Sequence, residues 1–269
     1  MSTIRILQHN CARSSNVMYS LLNTAKRDVN IIITQKPWLS RDGNTISHAS
    51  FHTYIAKHNE NERARTAIYV SNIYRYFTMN IRNNIIHDGD VQIIDIHTSN
   101  EVFRVYNVYN EKRDNIYTVQ RILQTHSFEN GIKIILADDF NTHHEWWDAS
   151  VENSNRRGNQ LVEILQRNQF ELINETDTYT YVYKHNDEIR TSVLDLTFAN
   201  DIMMPHISNW AVDCESHTGS DHMLIRFNIK TDERNTVVDL TTNRYNFKKT
   251  NWEKFVKILK DDNFDVSWQ

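Results

Sequence analysis

Residues 134–141 read Ile-Ile-Leu-Ala-Asp-Asp-Phe-Asn, an apolar run that ends in acidic and amide side chains. A short apolar run followed by Asp and Asn is typical of a buried β-strand that leads into a turn. Alternate side chains of an extended chain point the same way, so Asp139 and Asn141 are predicted to face one reacting centre. The alternative is a strand that simply ends in a polar turn, and the rest of the chain has to decide between the two interpretations.

Two further segments place ionisable side chains beside apolar strands. Asp195 lies within Leu-Asp-Leu-Thr-Phe at residues 194–198, and Ser-Asp-His at residues 220–222 precedes the apolar run 223–229. An unpaired charge in a buried strand is costly, so Asp195 needs a charged partner or a metal ion. Each segment alone is compatible with a core group or a loop. Together, carboxylates, an amide and a histidine at strand ends indicate a phosphodiesterase centre that holds Mg²⁺ and activates water.

Strand patterns alternate with helix patterns along most of the chain. Helical spacing of apolar residues is found between residues 17 and 25, 116 and 123, and 161 and 165. This alternation favours a layered α/β architecture over an all-β sandwich. The predicted strands are Ile4–Gln8, Asn30–Thr34, Thr66–Ser71, Val91–Ile96, Val102–Tyr109, Ile132–Leu136, Tyr179–Tyr183, Leu194–Phe198 and Leu224–Ile229.

Composition restricts the class of protein. The chain has 269 residues, 39% of them hydrophobic, with 30 basic and 34 acidic residues and a formal charge of −4. One large domain is expected, and a DNA partner would have to meet a local basic surface. The two cysteines, Cys11 and Cys214, form neither a disulfide framework nor a paired zinc motif. No secretion signal or membrane-length apolar run is seen, so we predict a nuclear or cytoplasmic location and no membrane partner.

Several motifs resemble those of retrotransposon endonucleases. Asp-Phe-Asn at 139–141 with His143-His144 resembles their catalytic block, and residues 194–197 and 220–222 resemble their two later blocks. Upstream, Gln-His-Asn at 8–10, Thr-Gln-Lys-Pro-Trp at 34–38 and Val-Tyr-Asn at 108–110 resemble the earlier motifs. In order and spacing the resemblance covers residues 4–229. It identifies the chain as similar to the endonuclease/exonuclease/phosphatase superfamily, specifically the apurinic-endonuclease-like domain of non-LTR retrotransposon polyproteins.

The resemblance implies a fold, a domain plan and a function. The fold would be a four-layer α/β sandwich of the DNase I type, in which two mixed sheets pack face to face with flanking helices. Residues 1–231 would form the nuclease domain, and residues 232–269 a connector with a helix that leads to a reverse transcriptase in the intact element. The implied function is Mg²⁺-dependent nicking of DNA, with Mn²⁺ as an alternative ion. A superfamily phosphoesterase for small molecules is a further alternative.

The same resemblance implies roles for individual residues. Asp139 would orient or deprotonate the attacking water, and Asn141 would help to hold the scissile phosphate. His222, ordered by Asp195, would stabilise charge on that phosphate, and Tyr109 would contact the phosphate or the leaving group.

Further residues would hold the metal or the DNA. Asn10 and Asp221 would lie near the metal ion, whereas Thr180, Ser220 and Arg190 are predicted to contact DNA.

The sequence departs from the family at one metal ligand. The family's second motif supplies a glutamate that binds Mg²⁺, and this chain has Lys36 at the matching position. An ammonium about 4 Å from a dication is repelled by roughly 8 kcal/mol at an effective dielectric constant of about 20, before any relaxation. Three interpretations stay open: Lys36 turns away and leaves a weakened metal site, its ammonium replaces the cation, or the chain is a catalytically impaired relic that still binds DNA.

Overall fold

A computed structural model describes residues 2–56, 63–73, 77–111, 118–129 and 131–231. The predicted connector from residue 232 onward lies outside these ranges, so its helix and its link to a polymerase stay predictions. None of the helices in the described ranges is long and apolar enough to cross a membrane.

The first of two large sheets has six strands in the order β13-β14-β1-β2-β4-β3. Strands β1 and β2 run parallel, and the other neighbours are antiparallel. A helix, α1 (Ser15–Ala25), connects the two parallel strands, with Ser14 capping its first turn. The strands are β1 (Ser2–Asn10), β2 (Ile31–Gln35), β3 (Phe51–Ile55), β4 (Thr66–Ser71), β13 (Ile207–Asp213) and β14 (Leu224–Thr231).

The second sheet also has six strands, in the order β5-β6-β7-β8-β12-β9. Its parallel pair, β7 and β8, is connected through α2 (Thr118–Thr125). Helix α3 (Arg156–Arg167), a short 3-10 helix (Met204–His206) and a separate hairpin of β10 (Tyr181–His185) and β11 (Glu188–Ser192) complete the described elements. The strands are β5 (Thr78–Ile81), β6 (Val91–His97), β7 (Val102–Tyr109), β8 (Lys133–Asp139), β9 (Phe170–Leu172) and β12 (Asp195–Asn200).

Alternation of side chains along the strands produces the layers. On β1, Ile4 and Ile6 point into a core shared with the second sheet, whereas Leu7 points outward to pack against α1. On β8, Ile135 belongs to the shared core, and Leu136 packs outward with residues of α2 and α3. The order is therefore helix, sheet, sheet, helices. This confirms the predicted four-layer α/β sandwich with two mixed sheets.

Strand direction and register determine where the polar side chains meet. The parallel strands β1, β2, β7 and β8 all end at the same edge of the sandwich, where β12 and β14 begin. In the second sheet, Tyr109 is paired with Asp139, and Asp139 with Asp195. In the first sheet, Asn10 is paired with Gln35, the residue before Lys36. Residues far apart in sequence are thus gathered at one edge.

Candidate active site

Asp139 is the central residue of this edge and has no solvent-exposed surface. Its Oδ2 atom accepts a hydrogen bond of 2.7 Å from Asn10 Nδ2, which crosses from the first sheet. Two cationic groups lie farther from the same oxygen, since Lys36 Nζ and His222 Nε2 are each 3.9 Å away. That distance is too long for a hydrogen bond, so both groups attract the carboxylate without saturating it.

His222 and Asp195 form a buried pair beside Asp139. His222 Nδ1 and Asp195 Oδ2 are 2.8 Å apart, and His222 Nδ1 is the donor because an ionised carboxylate can only accept. The ring of Tyr181 packs edge-on against the imidazole, with 4.9 Å between the ring centroids. The Asp195 backbone is fixed by Thr180, whose Oγ1 accepts the N–H groups of Leu194 and Asp195 at 2.9 Å each. The Nε2 atom of the oriented ring therefore points towards Asp139.

Burial and neighbouring charges shift the protonation of these groups in different directions. Burial raises the pKa of Asp139 to about 6, reinforced by the Asp195 carboxylate and opposed by His222 and Lys36. For His222, burial acts to lower the pKa, but the Asp195 and Asp139 carboxylates leave it above the usual value of 6.5. The nearby His9 is fully buried, and its pKa falls to about 4, first through burial and then through His222. At neutral pH Asp139 is therefore ionised and His9 is neutral, while the two carboxylates favour the protonated form of His222.

Asn141 does not continue the extended strand as the sequence pattern suggested. Strand β8 ends at Asp139, and Asn141 has a φ of 49°, in the left-handed region that asparagine tolerates. Its Nδ2 atom donates to the carbonyl of Asn110 at 2.9 Å, and its backbone N–H donates to Asp139 Oδ1 at 3.3 Å. The turn therefore brings Asn141 back against Asp139, and the prediction that both side chains leave one face of an extended chain is wrong.

Lys36 lies in the site rather than on the open surface. Its backbone is held on both sides, since its N–H donates to Arg65 O at 2.7 Å and its carbonyl accepts from Arg13 N at 2.8 Å. Its φ is 45°, so the chain turns sharply just after β2. The side chain is 22% exposed, and Nζ lies 5.4 Å from the centre of the Tyr109 ring. The ammonium is thus directed at Asp139 and Tyr109.

The remaining predicted site residues take different positions. Tyr109 is nearly buried and lies beside Lys36 and also beside Arg65, whose guanidinium carbon is 5.3 Å from the ring centre. Asp221 is exposed and does not belong to the close group of Asp139, Asp195 and His222. Arg190 is on the exposed hairpin, with Glu188 3.5 Å away. It remains a candidate for DNA contact.

Two residues that were predicted to contact DNA, Thr180 and Ser220, help to build the site, and Ser220 is still partly exposed. Thr180 is fully buried and is used by the backbone of Asp195, so its side chain is not available to a ligand at the surface. Ser220 Oγ donates to Asn10 O at 2.9 Å and accepts from the backbone N–H of His222 at 3.1 Å. Both hydroxyl groups satisfy backbone groups next to the reacting residues. The geometry therefore favours a positioning role over the predicted contact with DNA.

Sequence reasoning missed the role of three residues. Asn110 Nδ2 donates to Phe140 O at 2.9 Å and fixes the turn after Asp139. Asn174 Nδ2 donates to Asp195 O at 3.0 Å, and its Oδ1 accepts from Thr197 N at 2.8 Å. Arg65 pairs with Asp90 and with Glu111 while it contacts Tyr109. Only Asn110, inside the quoted Val-Tyr-Asn motif, carried a signal that pointed to the site.

The site contains three side chains whose atoms could bind a divalent cation. Asp139, Asp195 and His222 offer ligand atoms that all lie within 4.8 Å of one another. However, His222 Nδ1 is hydrogen-bonded to Asp195 Oδ2, so Oδ1 is the oxygen of Asp195 that has no hydrogen-bond partner among the described residues. Asn10 turns its NH₂ donor, not its oxygen, to Asp139, while its Oδ1 accepts from Ala12 N at 3.0 Å.

At position 36, where the resemblance implies a glutamate ligand, the chain has a lysine whose ammonium lies 3.9 Å from Asp139 Oδ2. Mg²⁺ and Mn²⁺ require several oxygen ligands around an open position. The side chains gathered here therefore do not fit either ion.

Comparison with known proteins supports the resemblance seen in the sequence. Residues 103–226 match the model of the family described as endonuclease-reverse transcriptase. This range includes Tyr109, Asp139, Asn141, Asp195 and His222. A sequence search among curated proteins found no significant match.

Solved structures share the fold. The endonuclease domain of TRAS1, a telomere-specific non-LTR retrotransposon, is similar with a TM-score of 0.70 and 21% identity, over 86% of this chain and 100% of that one. The AP endonuclease LMAP from Leishmania major gives 0.64 and 10% identity, over 85% and 88% of the two chains. The catalytic domain of Xenopus laevis APE2 gives 0.63 and 13%, over 86% and 94%.

Proposed function

Because this chain has the fold of the endonuclease/exonuclease/phosphatase superfamily and matches the endonuclease-reverse transcriptase family over residues 103–226, we propose that it hydrolyses phosphodiester bonds in DNA. The reaction would be a nick that exposes a 3′-hydroxyl group. In an intact retrotransposon, a fused reverse transcriptase would extend from that end.

One observation carries the proposal: a buried carboxylate and a carboxylate-bound imidazole converge on one point. Asp139 Oδ2 and His222 Nε2 are 3.9 Å apart, and the imidazole is fixed from behind by Asp195. A pKa of about 6 makes Asp139 a base that is ionised at neutral pH and still able to take a proton. Hydrolysis of a phosphodiester needs such a base together with a cationic group for the phosphate oxygens.

The proposed steps use side chains of this chain. Asp139 accepts a proton from a water molecule whose oxygen attacks the phosphorus atom. His222 Nε2–H donates to a non-bridging phosphate oxygen, and the positive charge of Lys36 lies on the Tyr109 side of the same carboxylate. The bond from phosphorus to the 3′ oxygen breaks, and this oxygen takes a proton from a solvent water molecule near Tyr109, while Asp139 returns the proton that it accepted to solvent. The products are a 3′-hydroxyl and a 5′-phosphate.

A second candidate function is DNA binding without hydrolysis. The observation that favours it is the ion pair of 3.9 Å between Lys36 and Asp139, the residue proposed as base. A cation next to a carboxylate stabilises its ionised form and makes it a weaker base. In this case the chain would hold DNA at the same edge but cleave it slowly or not at all.

The experiment is nicking of supercoiled plasmid by the unaltered chain, Lys36→Glu and Asp139→Asn, each with Mg²⁺ and with EDTA. We expect the unaltered chain to nick above the Asp139→Asn background. We expect Lys36→Glu to nick about a hundredfold faster in Mg²⁺ only, since a bound metal ion contributes several kcal/mol of transition-state stabilisation. Circular dichroism would verify that the three proteins are folded.

The pattern of results separates the functions. Nicking by Lys36→Glu alone would favour DNA binding without hydrolysis for the unaltered chain. Absence of nicking in all three folded proteins would refute the assignment of the site. Hydrolysis of a small phosphomonoester by the unaltered chain, without nicking, would instead indicate the small-molecule phosphoesterase alternative.

A further inference from the structure

We propose that the Lys36 ammonium takes the place of the divalent cation, so that the site binds the phosphodiester group in the absence of metal. The inference rests on the proposed function for the choice of DNA as ligand. It concerns the same edge of the sandwich, formed by Lys36, Asp139, His222 and Tyr109.

The charge of Lys36 matches that of the pair it replaces. A glutamate ligand with its bound Mg²⁺ carries a net charge of +1, and a lysine ammonium also carries +1. The net positive charge that attracts a phosphate monoanion is therefore the same without metal. A neutral or acidic residue at position 36 would lack this charge until a cation bound.

The position of the ammonium suits an anion that approaches Asp139. Lys36 Nζ and His222 Nε2 are both 3.9 Å from Asp139 Oδ2, so the two cationic groups lie around the oxygen proposed to activate water. Within the described ranges, the ion pair with Asp139 and the contact with the Tyr109 ring are the interactions found for Nζ. An ammonium has three donors, so donors remain for phosphate oxygens.

The backbone of Lys36 explains why the side chain stays in the site. Its N–H and its carbonyl are bonded to Arg65 and Arg13, and its φ of 45° fixes the direction in which Cβ leaves the chain. The ring of Tyr109 then contacts the ammonium in a cation–π interaction. The interpretation in which Lys36 turns out into solvent has no support in this geometry.

The experiment measures DNA affinity by fluorescence anisotropy with a labelled duplex oligonucleotide at constant ionic strength. The unaltered chain, Lys36→Gln and Lys36→Glu are compared in EDTA and in Mg²⁺, and the intact probe is verified on a denaturing gel. Lys26→Glu is the matched control, because it makes the same charge change at the end of α1 away from the site.

The sign of the Mg²⁺ effect is the decisive result. We expect the unaltered chain and Lys26→Glu to bind in EDTA and to gain nothing from Mg²⁺. Lys36→Gln should bind about tenfold more weakly in EDTA, since the phosphate loses a hydrogen bond from a charged donor. The slope of the logarithm of its affinity against the logarithm of the salt concentration should also be shallower by about one unit. Lys36→Glu should be weakest in EDTA and gain affinity on addition of Mg²⁺.

The outcomes are separable from those of the nicking experiment. Binding that depends on Lys36 in EDTA supports the inference even where nothing is nicked. A gain of tenfold or more from Mg²⁺ in the unaltered chain, or unchanged affinity of Lys36→Gln, would overturn it. If no variant binds DNA, inorganic phosphate in EDTA becomes the probe. A rise in Tm with phosphate that is lost in Lys36→Gln supports the inference, and the absence of that rise refutes it.

Discussion

Two buried aspartates of the second sheet differ in how their charge is balanced. Asp95, on β6, receives Arg104 Nε at 2.6 Å, Arg104 Nη2 at 3.0 Å and Arg82 Nη1 at 2.8 Å. Asp139, at the end of β8, accepts hydrogen bonds from the neutral Asn10 amide at 2.7 Å and the Asn141 backbone N–H at 3.3 Å, while Lys36 and His222 lie 3.9 Å away. Both side chains are almost completely buried. One carboxylate is saturated by guanidinium groups, and the other is not.

The difference separates a structural from a reactive carboxylate. Removing one partner of a buried charge pair in good geometry destabilises the fold, and the partners in such a pair leave no room for a substrate. A charge that is incompletely paired costs stability and keeps its capacity to bind a proton or orient a water molecule. The raised pKa of Asp139, caused first by burial, reflects this loss of stability. Variants at the two positions should therefore have opposite effects.

The largest expected effect is loss of stability in Asp95→Ala. The variant leaves Arg104, whose side chain is 1% exposed, without its main partner in the interior. Removal of one partner from a buried pair typically costs about 3–5 kcal/mol. For a domain of this size, this corresponds to a fall in Tm of roughly 6–20 °C. Calorimetry measures the shift.

Asp28→Ala is the matched control for this variant, because Asp28 lies in an exposed pair with Arg226 at 3.7 Å. Its Tm should change by little. DNA nicking per folded molecule should survive in Asp95→Ala, since Arg104 is five residues, roughly 16 Å, from Tyr109 along β7. Equal Tm values for the two variants would contradict the structural role of Asp95.

A smaller effect of opposite sign is expected for Asp139→Asn. The amide has nearly the same shape but no charge to desolvate, so the unfolding free energy should rise, on the order of 1 kcal/mol at pH 7.5. Nicking should be lost in the same variant. Urea unfolding at matched pH measures the change, and a clear loss of stability would show that Asp139 is a satisfied structural charge like Asp95.

Much of this contrast was predictable from the sequence. The strand that ends in Asp139 and the strand that follows His222 were predicted within three residues of their observed bounds, because alternating and continuous apolar patterns directly reflect burial. The cost of an isolated buried charge predicted that Asp195 has a charged partner or a metal ion, and the resemblance to retrotransposon endonucleases implied that the partner is His222. Short or exposed strands such as β5, β9 and β11 were not predicted, since few of their side chains point into the core.

Other features depended on tertiary contacts that no local pattern encodes. Thr180 was expected to contact DNA, but the short bridge between Tyr181 and His222 turns it inward to the Asp195 backbone. Asn141 was expected on an extended chain, but its hydrogen bond to Asn110 stabilises a left-handed turn. The sequence identified Lys36 as the departure from the family. Its backbone bonds to Arg13 and Arg65, and the contacts of its ammonium with Asp139 and Tyr109, place the side chain in the site.

The smallest expected effect is the dependence of nicking on mild acid. Since burial raises the pKa of Asp139 to about 6, its basic form predominates above that pH, and the rate at pH 6 should be about half of its plateau. Below pH 6 the rate should fall about tenfold per unit.

As pH rises further, the rate should fall again when His222 loses its proton, at a pH above its ordinary value of 6.5. The stability of the fold should change with pH in the opposite direction from the rate that depends on Asp139. A carboxyl group with a raised pKa destabilises the fold increasingly as pH rises from about 4 to 6. The gain of Asp139→Asn over the unaltered chain should therefore vanish below pH 4. A gain that persists there would mean that shape, not charge, distinguishes Asp139 from Asp95.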